Sequence, residues 1–180
     1  MGDYCNDLVK IMVSLKRNLD TAIRLLGTPK NYEDYISIKI SPVNGGCCCF
    51  DHWSGTWTEI NEQISPSGPI KNEGAVLIEK KNERFVLECH ESGPEIIIYL
   101  GLGTASIVLV KSVVDLITTI LKSRQKREFQ GTAKFKITSC RLVNSETEDE
   151  ISTEINLPLS NEVVESLNVV IANLLRRRKE

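Results

Sequence analysis

The sequence predicts an α+β fold, in which an antiparallel sheet built from hairpins is packed by an N-terminal, a central and a C-terminal helix. In three segments, apolar residues recur at steps of three and four, which is the pattern of one buried helix face. Between these segments, short stretches alternate apolar and polar residues and are separated by turn residues, as in hairpins. Because runs of hairpins are interspersed with helices, we expect the sheet to be antiparallel.

The N-terminal part, residues 1–62, is predicted to hold one helix and a three-strand meander. The helix is expected over about Asp7–Leu26, and Gly27 followed by Pro29 ends it. Strand-like stretches follow, and glycine-containing turns separate them. The three strands are placed at Tyr35–Ile40, Cys47–Asp51 and Thr56–Ile60.

Residues 63–74 are predicted to form a loop or linker, because they hold two prolines and two glycines and little that can pack. The part 75–180 is predicted to be a hairpin–helix–hairpin–helix unit, packed with the N-terminal part as one domain. Ile96–Leu100 fits either a strand or the first turns of the central helix, so its state stays open. The other elements are placed at Ala75–Lys80 and Arg84–His90, about Thr104–Gln125 for the central helix, Thr132–Val143, an acidic turn Asn144–Glu150, Ile151–Leu157, and a final helix capped by Ser160.

The longest apolar run of the chain is Glu95–Lys122, in the middle of the sequence. On a helix, Lys111 and Asp115 fall on one face, while apolar residues fill a band wider than a single packing seam. Because protein must cover such a band, it forms either the core of the domain or a contact surface. The side chains predicted for the contact are Ile107, Val110, Val114, Ile117 and Leu121, with Trp53 as a further anchor.

A membrane span is not expected in this segment. Its uncharged part, Ile96–Val110, has about fifteen residues, fewer than the roughly twenty that cross a bilayer. In a longer span, Lys111 and Asp115 would lie near the middle, where each costs about 2.5–3.5 kcal/mol. An oligomeric pore that hides these charges inside is the alternative. The formal net charge of −2 creates no overall field that attracts nucleic acid or an anionic membrane.

The cysteines indicate a reducing compartment. Six are present, and three of them are adjacent at 47–49, where neighbours do not easily bridge each other. The N-terminus carries acids where a secretory signal would carry lysine or arginine, so we expect a cytoplasmic protein. Packing as small apolar side chains is the main interpretation of these thiols. The alternative is a zinc site, whose ligands would be Cys47, Cys49, His52 and Cys89.

The sequence holds no complete catalytic set. Only two histidines are present, and His90 adjoins Cys89 on a predicted strand, where neighbouring side chains point to opposite faces. Gly101-Leu102-Gly103 begins a partial dinucleotide-binding pattern, but Ser106 replaces the third glycine, so we expect these glycines to bend the chain. The sequence therefore favours a non-enzymatic protein without a cofactor.

Both the central and the last helix end in basic residues. Cations at a helix C-terminus interact favourably with the helix dipole, which accounts for both ends without any ligand. If the two ends met on one side, they would form an anion-binding patch for nucleic acid or a nucleotide. That patch would contain Lys122, Arg124, Lys126, Arg127, Arg176, Arg177 and Arg178.

Over about 74–180, the layout is a hairpin, a Ser-Gly-Pro break, an apolar helix with a basic end, a hairpin and a helix. This layout loosely resembles small accessory components of bacterial defence operons; no motif carries the resemblance, and no family is assigned. The leading hypothesis is a regulatory, adaptor or assembly subunit that self-associates or binds a partner protein through the central helix. The alternatives are an accessory protein that binds nucleic acid or a nucleotide, of a defence system for example, and a Cys/His metal-binding protein.

Overall fold

The computed structural model of the chain describes residues 2–43, 58, 74–80, 83–90, 93–101, 106–128, 134–143 and 146–176. Within them, the helices with described bounds are α1 (Gly2–Leu26), α2 (Ile107–Glu128) and α3 (Asn161–Arg176). The strands are β1 (Tyr35–Pro42), β2 (Gly74–Lys80), β3 (Glu83–His90), β4 (Gly93–Tyr99), β5 (Lys134–Val143) and β6 (Glu146–Asn156). They form one antiparallel sheet in the order β2-β3-β4-β1-β5-β6, so the predicted α+β fold is confirmed.

The N-terminal strand β1 lies in the middle of the sheet, between β4 and β5. It is antiparallel to both, and Ile38 lies opposite Ile96 of β4 on one side and Ser139 of β5 on the other. β4 and β5 therefore run parallel to each other on either side of β1, and α2 lies on the connection between them. β4 extends to Tyr99, so the stretch Ile96–Leu100, whose sequence fits either a strand or a helix, is strand up to Tyr99.

Alternate side chains of β1 enter two different apolar clusters. Ile36, Ile38 and Ile40 join one cluster with buried side chains of α2 and α3. Tyr35 points to the opposite face and joins a second cluster with α1. Helices therefore cover both faces of the sheet, which fits a strand that is buried on both sides. The second cluster consists of Leu15, Leu19, Ala22 and Leu26 of α1 with Tyr35, Val86, Ile97, Cys140 and Leu142 of the sheet.

The end of α1 follows from its local sequence, as predicted. Gly27 has φ +65°, a left-handed conformation that favours glycine, and its N–H donates to the Ile23 carbonyl oxygen at 2.9 Å. The helix therefore stops at Leu26. The helix begins at Gly2 instead of near Asp7. The predicted start is too late because the apolar spacing that indicates the helix begins only after its first turns.

Serine side chains cap the other two helices at their N-terminal ends. The Ser160 hydroxyl accepts the Val163 N–H at 3.3 Å, which confirms the predicted cap of α3. The Ser106 hydroxyl accepts the Leu109 N–H at 3.0 Å in the same way. This cap explains why α2 begins at Ile107, three residues later than predicted.

The remaining differences from the predicted elements lie in the loops. β6 already begins at Glu146, inside the predicted acidic turn Asn144–Glu150, because its backbone pairs with β5 from Val143 onward. Thr58 has helical backbone within the predicted strand Thr56–Ile60. The neighbours of Thr58, the predicted strand Cys47–Asp51 and residues 63–73 lie outside the described residues, so the meander and the linker stay predictions.

Candidate functional site

The helices α2 and α3 lie side by side on one face of the sheet. The side of α2 that faces the sheet is fully buried, and it includes Val113, Ile117 and Leu121. α3 contributes Leu167 and Ile171 to the same cluster in the same way. The opposite side of the helix pair faces away from the sheet, and there the two helices form a groove between them.

The groove has a volume of about 710 Å³. Its floor is apolar, because Val114 is buried there and Val110 and Val164 are half-buried. Its rim carries two strongly exposed apolar side chains, Ile107 at 82% and Val169 at 60% of their accessible area. The lining residues are Ile107, Val110, Lys111, Val114 and Asp115 of α2 with Val164, Asn168, Val169, Ala172 and Asn173 of α3.

The polar groups of the groove lie at its edges. Lys111 and Asp115 are exposed and stand one helical turn apart on α2. On α3, the Asn168 side chain donates to the Val164 carbonyl oxygen of its own helix at 3.0 Å. The lining thus combines an apolar floor, amide groups and one pair of opposite charges. Such a surface is suited to holding an apolar side of another protein.

The structure places the predicted contact residues in two environments. Ile107, Val110 and Val114 line the groove. Ile117 and Leu121 are fully buried against the sheet, so their side chains stabilise the fold and we leave them out of the contact surface. The reason is that a wide apolar band on a helix contains both a core face and an outer face, and periodicity alone does not separate them. Trp53 lies outside the described residues.

The predicted contact set contains no residue of α3, and Val169 is the most exposed apolar residue that α3 adds to the groove. It lies on α3 beside the apolar stripe that faces the core, which contains Leu167, Val170 and Ile171. The sequence offers one signal for Val169, which is that this residue widens the apolar stripe of α3. A single exposed apolar residue is common on protein surfaces, so this signal has little weight without a neighbouring helix.

The connectivity relates the end of α2 to the start of α3. α2 ends shortly before β5 begins, and α3 begins shortly after β6 ends; Lys134 and Asn156, at those strand ends, lie opposite each other. α3 spans 16 residues, or about 24 Å. The anion-binding patch stays a prediction, because Arg177 and Arg178 lie outside the described residues.

The residues predicted for that patch are only partly within the described chain. Lys122 is exposed on α2, whereas Arg177 and Arg178 lie outside the described residues. Arg124, Lys126 and Arg127 belong to the last turns of α2, and Arg176 is the last residue of α3.

The zinc hypothesis falls mostly outside the described residues. Cys47, Cys49 and His52 are not among them, and Cys89 lies on β3, where its backbone pairs with Gly74 and Pro94. Among the residues that the structure describes, no group of three or more His, Cys, Asp and Glu side chains is arranged to hold a metal ion. A zinc site that uses the undescribed residues stays a prediction.

A buried polar cluster lies on the other face of the sheet, beneath α1. Glu95 of β4 is fully buried and accepts hydrogen bonds from Asn18 Nδ2, at 2.8 Å, and from the Ser37 hydroxyl. Lys39 Nζ lies 4.0 Å from Glu95 Oε2. Because Asn18 and Ser37 are also fully buried, a substrate has no access to this carboxyl group. Its role in the structure is to join α1 to the centre of the sheet.

Comparisons with protein-family models, with curated proteins and with solved structures find no match for this chain. Among the helices that the structure describes, none combines the length and the apolar character needed to cross a membrane.

Proposed function

We propose that the protein is a non-enzymatic binding or assembly subunit that holds an apolar surface of a partner in the groove between α2 and α3. The observation that carries the proposal is the pair of exposed apolar side chains on the rim, Ile107 and Val169, above an apolar floor. Scattered apolar residues need no explanation, but apolar residues grouped around a groove and bordered by polar ones are typical of an interaction site. A regulatory or adaptor role and a cytoplasmic location are part of this proposal.

The two rim residues supply enough free energy to act as anchors. Full burial of a Val or Ile side chain stabilises by about 1.5–3 kcal/mol. Scaled by their exposed fractions of 82% and 60%, Ile107 and Val169 together would contribute about 2–4 kcal/mol. Since about 1.4 kcal/mol is a tenfold change in affinity, their loss would weaken binding by about 30-fold or more.

The shape of the groove points to a helix as the bound element. Two parallel ridges of side chains, one from each helix, leave a channel into which a third helix fits as ridges pack into grooves. A helix presents apolar residues at i, i+3, i+4 and i+7, and the lining residues of α2 have the same spacing. The proposal therefore names an amphipathic helix as the class of ligand.

A peptide-display selection tests this function without a known partner. A library of amphipathic helical peptides is selected on the immobilised wild-type protein, and binding of the enriched peptides is measured on variants. We expect them to lose about 30-fold or more in affinity for Ile107→Ser/Val169→Ser. Val13→Ser is the matched control, because Val13 is 63% exposed but lies on α1, on the other face of the sheet. Peptides that bind all three proteins equally well would refute the groove as the binding site.

A further inference from the structure

The outer stripe of α2 is complementary to itself. Ile107, Lys111, Asp115 and Thr119 follow one another at steps of four, so they form one row on the helix surface. Lys111 and Asp115 are each two positions from Val113, and Ile107 and Thr119 are each six positions from it. A second α2, placed antiparallel across this row, therefore sets Lys111 opposite Asp115 and Ile107 opposite Thr119.

Resting on the function proposed above, we infer that the occupant of the groove is the same surface of a second copy of this chain. The two copies are related by a two-fold axis at the level of Val113, and α2 of each copy lies in the groove of the other. Such an interface is isologous, the commonest type among soluble homo-oligomers. It covers Ile107 and Val169 of both copies with a four-helix layer.

The charges of the row favour this occupant over an unrelated helix. Lys111 precedes Asp115 on α2, and this order is less favourable for a pair within one helix than an acid that precedes a base. Across the two-fold axis, each lysine gains a carboxylate of the second copy, and each carboxylate gains a lysine. The four charges then alternate in sign, so their arrangement specifies the antiparallel register.

The apolar end of the row is compatible with the same register. The Thr119 hydroxyl donates to the Asp115 carbonyl oxygen of its own helix at 2.8 Å. That hydrogen bond pairs the hydroxyl within its own helix. Ile107 of the second copy lies opposite Thr119, so its apolar surface meets a side chain whose hydroxyl is already paired.

Charge reversal with rescue tests the arrangement. The molar mass of purified protein is measured by sedimentation equilibrium over about 1–100 µM, the range of moderate dimer affinities. We expect the wild type to reach twice the chain mass of 20.2 kDa. Lys111→Glu and Asp115→Lys each place like charges across the axis and should raise the dimer dissociation constant at least about tenfold. The double variant Lys111→Glu/Asp115→Lys restores opposite charges and should return it to within about threefold of the wild type.

Lys122→Glu is the matched control, because Lys122 is exposed on the same helix but outside the groove, and its dimer should be unchanged. Circular dichroism confirms that each variant folds. A wild type that stays at 20.2 kDa throughout, while selected peptides still bind the groove, would overturn self-association and leave the binding function intact. A dimer that both single reversals leave unchanged would overturn this arrangement. If the wild type is monomeric and no peptide depends on Ile107 and Val169, both proposals fail.

Discussion

Replacement of Asn18 by alanine tests how α1 is held on the sheet. Asn18 is fully buried, and its Nδ2 donates to Glu95 Oε2 at 2.8 Å. This bond joins residues 77 positions apart in the chain, so it connects the N-terminal helix directly to β4. Asn18→Ala removes this donor from the buried carboxyl oxygen, which also lies 4.0 Å from Lys39 Nζ.

The expected loss follows from two opposing contributions. A buried acceptor that loses its donor costs about 1–3 kcal/mol. Alanine in a helix returns up to about 0.7 kcal/mol, because its helix propensity exceeds that of asparagine. The Asn18 Oδ1 atom is buried and makes no hydrogen bond, so its removal costs nothing further. We therefore expect Asn18→Ala to lower the free energy of unfolding by about 1–2 kcal/mol and the melting temperature by about 2–8 °C.

Urea denaturation followed by circular dichroism measures this difference. The matched control is Ser166→Ala, a substitution to alanine at an exposed position of α3 outside the groove, which should leave the free energy of unfolding unchanged or raise it by up to about 0.7 kcal/mol. If Asn18→Ala proved as stable as Ser166→Ala, the buried hydrogen bond would contribute nothing to the attachment of α1.

Two further predictions concern the turns and one exposed ion pair. Gly27→Ala should lower the free energy of unfolding by about 1–2 kcal/mol, because alanine is strained in the left-handed backbone conformation of this residue. Gly101→Ala should lower it further, because the new Cβ would also lie 3.0 Å from the Tyr99 ring. Thermal denaturation measures both losses, and equal losses would contradict the contribution of the Tyr99 contact. Lys30 Nζ lies 2.9 Å from Asp20 Oδ1 and holds the pKa of that carboxyl below its ordinary value of 3.8. This pair therefore stabilises the fold above about pH 3.8, and the stabilisation is lost as the pH falls through the lowered pKa of Asp20 in the folded protein. Lys30→Gln should move the pKa of Asp20 up toward 3.8 in a carboxyl-carbon NMR titration, and an unchanged titration would exclude the pair as the cause.

Elements whose signals are local were predictable from the sequence. The end of α1 at Gly27 and the cap of α3 at Ser160 depend on residues within one or two turns of each other. The hairpin of β2 and β3 likewise depends on neighbouring stretches of chain, and it lies where the alternation places it. The predicted boundaries are least accurate where the signal is weak, as at the start of α1.

The position of β1 was not predictable in this way. A strand from the N-terminal part pairs with β4 and β5, which follow it by some fifty and a hundred residues. Pairing over such distances is decided by the fit of whole faces, and no local pattern specifies it. The same pairing makes Ile96–Leu100 a strand up to Tyr99, a stretch whose composition also fits a helix. It also brings Glu95 beside Ser37 and beneath Asn18, which gives a role to an acid that has none in the local sequence.

The sequence by itself determined which segments are amphipathic, where α1 ends and α3 is capped, and that the central helix carries more apolar surface than one seam can cover. Only the tertiary structure decided which part of that surface is core, burying Ile117 and Leu121 and leaving Ile107 at the rim of a groove. The physical reason is that the apolar periodicity of a sequence gives only the angular position of each residue around its own helix. Whether that residue is buried depends on which other elements pack against that side of the helix. For α2, the sheet lies on one side and α3 beside it, and the chain assembles both neighbours from distant segments.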